Sequence, residues 1–384
     1  MWRKLIGVTA GLVAGLGLVL VLGRCQQGAG PLPQLGAAVS ETQGPLAEVW
    51  LQYTSQSEPV VGTAQADFLF ALEPRTHVRV TLAGPEEARS FQDFLERHGL
   101  VQRMQGRLTV VRTAGPLTPW TRDRALALGG QDTNLTLLVP PAPADEWPER
   151  RNDWQASWML GKTRPASRVV QLPLDFDGGD LVLLDGEALF DANLLAKNTN
   201  RGFHTAAELT RAVAQWTGRP AHMLGTAEGD VPKYHMAMYA MPIGNHKVLV
   251  GDPSLARALT GTHWQPGDAS VETDEPLRAD DTPQTQARFD EAARALRAQG
   301  WDVVRIPVVQ FDDRTYMTYT NAVLESVGTH RVVYLPVYGA NALDDAASRT
   351  WLAQGYEIRP IRVAGVWRHH GTIGCLVNVL QRGR

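Results

Sequence analysis

The sequence predicts an α/β domain. Three observations carry that prediction. The composition is that of an ordinary globular protein, 44% hydrophobic and 20% charged. The 384 residues are enough for one large core. Short apolar strands alternate with amphipathic helices along most of the chain, the order that α/β folds require.

The elements follow in sequence. Residues 77–82 read as a strand. Residues 86–98 read as a helix, with Phe91, Phe94 and Leu95 at helical spacing. A strand over 108–111 comes next. Thr205 is positioned to cap a helix running to about Trp216, and Gly218 to stop it. Residues 247–250 form a strand, 284–299 a helix ended by Gly300, and 303–306 a strand. A strand over 331–335, a helix over 344–354 and a strand over 358–361 repeat the unit, which recurs about every 70 to 80 residues. Two stretches, 141–168 and 263–283, are dense in charge, Pro or turn residues and read as surface insertions.

The N-terminus differs in kind. Arg3 and Lys4 precede an uncharged run, residues 5–22, that would span roughly 27 Å as a helix. Residues 1–24 are therefore expected to be a signal peptide or a retained membrane anchor. Cys25 stands where a bacterial lipoprotein carries its lipidated cysteine, although Arg24 replaces the usual small residue. Residues 25–47 read as a flexible linker, and the folded body as 48–384.

Cys25 and Cys375 are the only cysteines, which excludes a disulfide framework and a multi-cysteine metal site. The net charge of −3 gives no sign of a nucleic-acid partner. The ten histidines contain no His-x-x-x-His or His-x-His pair, so no zinc site is expected. Gly161-Lys-Thr163 lacks the first glycine of a phosphate loop, and there is no dinucleotide fingerprint. His369-His370 reads as a surface pair.

Five short segments carry the candidate chemistry: Trp120-Thr-Arg-Asp123, Asp177-Gly-Gly-Asp180, Tyr234-His-Met-Ala237, Tyr319-Thr-Asn321 and Gly371-Thr-Ile-Gly-Cys375. In this order they resemble the guanidine-modifying, or pentein, superfamily. The resemblance is strongest to its agmatine deiminase and bacterial peptidyl-arginine deiminase branch, and it covers residues 116–384. It implies strand–helix modules around a pseudo-fivefold axis, and no metal or organic cofactor. It also implies roles. Cys375 is the nucleophile, His235 the acid and base, and Asp123 orients the guanidinium. Trp120, Asp177, Asp180 and Asn321 bind substrate or support the site. A guanidinium is planar and a poor electrophile, so carboxylates that fix its plane and a thiolate that attacks its carbon suit the chemistry.

Two positions depart from the branch. Its His-x-Asp is His235-Met-Ala237 here, and the residue before the nucleophile, often His, is Gly374. Asp230 or Glu228 could stand in for the missing carboxylate. The expectation is an exported deiminase acting on arginine, agmatine or peptidyl-arginine through a covalent cysteine intermediate. The alternative is an envelope ligand- or protein-binding domain that keeps the fold without the turnover. Either would sit at the bacterial cell envelope, on the periplasmic side, secreted, membrane-anchored, or a lipoprotein at Cys25.

Overall fold

The computed structural model describes residues 37–129, 135–143, 147–164, 167–184, 186–266 and 277–383. Residues 1–24, expected as a targeting segment, and Cys25 lie outside the described residues, as does part of the 263–283 insertion. Among the described residues, no helix is long and apolar enough to cross a membrane.

The strands form five sheets with one recurring plan. The first holds β1 (Leu46–Gln52), β2 (His77–Ala83) and β3 (Leu108–Thr113), all parallel. In the second, β4 (Leu126–Leu128) lies antiparallel to β5 (Thr136–Val139), which is parallel to β6 (Arg168–Gln171). In the third, β7 (Val182–Leu183) is antiparallel to β8 (Ala188–Asp191), and β8 parallel to β9 (Ala221–Leu224). The fourth repeats this with β10 (Ala240–Gly244), β11 (Lys247–Asp252) and β12 (Asp302–Gln310), and adds β13 (Tyr316–Thr318) antiparallel to β12. The fifth is β14 (Val323–Val327), β15 (His330–Val337) and β16 (Glu357–Arg362). Finally β17 (Asn378–Arg382) returns antiparallel to β1, so the first sheet also has the antiparallel-then-parallel order.

Each parallel pair needs a crossover, and helices supply it. The sequence signals for these helices act locally. Thr205 Oγ1 accepts from Glu208 N at 3.2 Å while the Glu208 carboxylate accepts from Thr205 N at 3.0 Å. This capping box opens the helix Ala206–Thr217, and Gly218 at φ 66° ends it. Phe91, Phe94 and Leu95 are the buried face of the helix Gly84–Arg97.

Two stretches differ from their sequence reading. Within residues 25–47, Ala38, Val39, Ser40 and Thr42 are buried, and Ala38 bridges to Leu128. The insertion over 141–168 is not an irregular loop, because it contains the helix Pro148–Lys162, which is the crossover from β5 to β6. Its inner face is small and polar (Asp153, Ala156, Ser157, Leu160 and Gly161 are buried), so the helix has little apolar periodicity to betray it.

Candidate active site

Each of the five segments precedes the first antiparallel strand of one sheet. Asp123 comes just before β4, Asp177 and Asp180 before β7, His235 before β10, Asn321 before β14 and Cys375 before β17. Equivalent positions of five modules thus supply the candidate residues, which is why residues far apart in sequence can meet.

Cys375 is buried in the short helix Ile373–Leu376. Its amide N donates to Thr372 O at 3.0 Å, and its carbonyl accepts from Arg122 N at 3.2 Å. Asn321 holds the thiol side, with Nδ2 donating to Cys375 Sγ at 2.9 Å. The same residue's carbonyl accepts from Thr372 Oγ1 at 2.6 Å and from Gly374 N at 3.2 Å, which ties the two segments together. Gly374 is required by contact: a Cβ there would lie 2.0 Å from Asn321 Oδ1. The histidine often found before the nucleophile in the branch would collide with Asn321 here.

His235 is buried, and the Tyr234 ring stacks on it at 3.9 Å between centroids. Gly179 leaves room for it, since a Cβ there would come within 2.7 Å of the imidazole. His235 Nε2 lies 3.5 Å from Asp177 Oδ2 and 3.8 Å from Asp180 Oδ1. Burial opposes its charge, but Asp177, Asp180 and Cys375 outweigh burial and push its pKa up to about 10. The two aspartates form a small cap, with Asp177 N donating to Asp180 Oδ2 at 2.9 Å. Lys197 Nζ reaches both, at 3.0 Å from Asp177 and 3.3 Å from Asp180. Burial would raise the Asp177 pKa, but Lys197, His235 and Arg124 hold it well below the usual carboxylate range.

Atoms of Asp177, Asp180 and His235 all lie within 4.8 Å of one another, a spacing that could hold a metal ion. The ammonium of Lys197 and the charged imidazole already supply the positive charge such an ion would bring, so the donor set is a poor fit for one.

A cleft of about 710 Å³ opens over these groups, lined by Trp120, Asp123, Arg150, Asp177, Tyr234 and Cys375. Gly371 lets the Trp120 indole approach, since a Cβ would meet it at 2.5 Å. Asp123 is buried, and Arg150 Nη1 donates to its Oδ2 at 2.8 Å. Trp120, Asp123, Asp177 and Cys375 thus share one cleft, with His235, Asp180 and Asn321 bonded or packed against its walls.

Ala237 is buried in the apolar cluster that also contains Cys375, and its carbonyl accepts from Thr320 Oγ1 at 3.1 Å. Neither suggested substitute reaches the cleft. Asp230 folds back to accept from Thr226 N, Thr226 Oγ1 and Ala227 N, and Glu228 is exposed. Among the described residues, the carboxylates lining the cleft are Asp123 and Asp177.

The sequence did not point to Arg150, Lys197 or Arg314 as site groups. Arg314 lines the cleft with its guanidinium 5.3 Å from the Tyr234 ring centroid. His369, which is exposed, and His370, which is half-buried, fit a surface pair and line the cleft, with His370 Nδ1 3.0 Å from Thr315 Oγ1.

No family model and no curated protein matches the sequence. Solved structures do match the fold. The agmatine deiminase of C. jejuni superposes with a TM-score of 0.63 at 15% identity, over 90% of this chain and 97% of that one. A structure provisionally assigned as a peptidyl-arginine deiminase gives 0.63 at 13% identity, over 91% of this chain and 100% of that one. The Enterococcus faecalis agmatine deiminase gives 0.59 at 12% identity, over 91% of this chain and 98% of that one. This chain has the fold of the agmatine deiminases, the branch that the order of its five segments resembles.

Proposed function

We propose that this protein is an exported deiminase-type hydrolase that attacks the carbon of a guanidine group with Cys375. The observation that carries this reading is the shared setting of Cys375, His235 and Asp177, with Asn321 bonded to the thiol. Arginine, agmatine and arginyl side chains of peptides are the substrate class. A solved neighbour, an agmatine deiminase with substrate bound, supports a small guanidine. The five sheets of one plan support a fivefold propeller with the cleft at its centre. The uncharged run behind Arg3 and Lys4 supports an envelope location.

Cys375 Sγ, as thiolate, bonds to the guanidinium carbon. One C–N bond breaks, and His235, held protonated, gives its proton to the departing nitrogen, which leaves as ammonia. Neutral His235 then takes a proton from water as the water oxygen bonds to the same carbon. The C–S bond breaks, Sγ leaves as thiolate, the remaining proton on the new oxygen passes to solvent, where ammonia takes it up as ammonium, and the product is a neutral ureido group. Asp177 and Asp180 keep His235 oriented and charged at the start of each cycle.

A second reading, a ligand-binding domain with impaired turnover, is favoured by Ala237 and by the engagement of Asp123 with Arg150. Release of ammonia and ureido product by the full-length protein from arginine, agmatine and arginyl peptides separates the two. Turnover that Cys375→Ser lowers by about 10,000-fold supports the hydrolase. Binding without turnover on every substrate supports the second reading.

A further inference from the structure

The carboxylates that would grip a substrate guanidinium already grip one. Arg150 Nη1 lies 2.8 Å from Asp123 Oδ2, Nη2 lies 3.3 Å from Asp177 Oδ1, and Nη1 lies 3.7 Å from the buried Asp153. These are the fork contacts that a substrate's planar cation would make. Arg150, Asp123, Asp177 and Cys375 line the same cleft.

The local charge makes the same point. Arg124, Arg150, Lys197 and charged His235 face Asp123, Asp153, Asp177 and Asp180. With Arg150 in place, an incoming guanidinium would be a surplus cation and would lack the second carboxylate that Ala237 removes. Without it, the buried Asp123 carboxylate would lose the Arg150 Nη1 contact at 2.8 Å and be open to a cationic ligand.

The arginine is presented by a fixed support. It lies in the first turn of the helix Pro148–Lys162. Asp153, one turn on, accepts from Thr118 N at 2.9 Å and Thr118 Oγ1 at 2.6 Å. Asn152 Nδ2 donates to Pro116 O at 2.7 Å. These bonds dock the helix on the segment that leads into Trp120 and Asp123.

We propose that Arg150 is a specificity-determining residue, an internal guanidinium seated in the Asp123–Asp177 site that a cationic substrate must displace. This rests on the reading that the cleft binds guanidines. It assigns the residue a competitive role: it sets how strongly the resting protein takes guanidinium and amidinium groups.

The test uses the full chain and two electrophiles that label Cys375, 2-chloroacetamidine, which is cationic, and iodoacetamide, which is neutral. Arg150→Gln should speed labelling by the amidine on the order of tenfold, through removal of one like charge, and leave iodoacetamide labelling within about threefold. Arg150→Lys keeps the charge and should label as slowly as the unaltered protein. Circular dichroism confirms that both variants are folded. Amidine labelling that is unchanged or slower in Arg150→Gln overturns the proposal, as does equal acceleration by both reagents. The labelling ratio needs no turnover. Failure of the deiminase reading, seen as absent ureido product, is therefore distinct from failure of this one.

Discussion

The groups that would move protons and the groups that would hold the guanidinium stand in different condition. His235, Asp177, Asp180 and Lys197 form a continuous set of ion pairs, and the imidazole is held charged at neutral pH. The binding groups are altered: Asp123 is paired with Arg150, and the position two residues after His235 is Ala237. On the proposed reading, Asp177 is shared by the two sets, whereas His235, Asp180 and Lys197 belong to the first and Asp123 and Ala237 to the second. The proton-moving set joins side chains of two modules, whereas Asp123 in the binding set is engaged by one side chain of a crossover helix.

The largest expected effect falls on the proton-moving set. His235→Gln should lower kcat by about 100- to 10,000-fold, with KM changed far less. The same variant carries a stability signature. The pKa of His235 in the folded protein is about 10, above its ordinary 6.5. Its contribution to stability is therefore present in full below about pH 6.5 and is lost as pH rises through about 10. Thermal melting of the unaltered protein should fall over that window more than melting of His235→Gln. Parallel pH profiles would contradict the charged imidazole.

A smaller effect is expected on the binding set. Ala237→Asp should lower KM for arginyl substrates by about tenfold with kcat little changed, through a restored charge-assisted contact. It should also lower the melting temperature, since it buries a carboxylate. An unchanged KM in the folded variant would remove Ala237 from the comparison. The smallest effect concerns the joint between the Asn321 and Cys375 segments. Gly374→Ala puts a Cβ 2.0 Å from Asn321 Oδ1 and should cost about 1–3 kcal/mol of stability, read by denaturant unfolding. A variant as stable as the parent would show that Asn321 moves freely.

Much of this was legible in the sequence because the signals were local. Thr205, Glu208 and Gly218 bound a helix by contacts within their own turns. Residues 77–82 alternate apolar and polar, 247–250 and 331–335 are mostly apolar, and all three fall within β2, β11 and β15. The five segments were legible through their order. What was not legible depends on distant partners. The strands β4 and β7 are too short to have a pattern of their own, and pairing with β5 and β8 defines them. Arg150 meets Asp123 and Asp177 only because a helix with a small, polar inner face docks on residues 116–118. In the sequence, that stretch shows charge, Pro and Trp, the composition of a surface loop. Gly374 reads as a departure from the branch until the position of Asn321 shows that a Cβ there would clash with its side chain.

The central claim is that Cys375 bonds to a guanidine carbon, and acid-quenched mass spectrometry of the full chain with an arginyl peptide tests it most directly. An amidino adduct is expected on the peptide containing Cys375 at early times, followed by ureido product, with both lost in Cys375→Ser. Ureido product formed with no adduct on Cys375, or formed unchanged in Cys375→Ser, would contradict it.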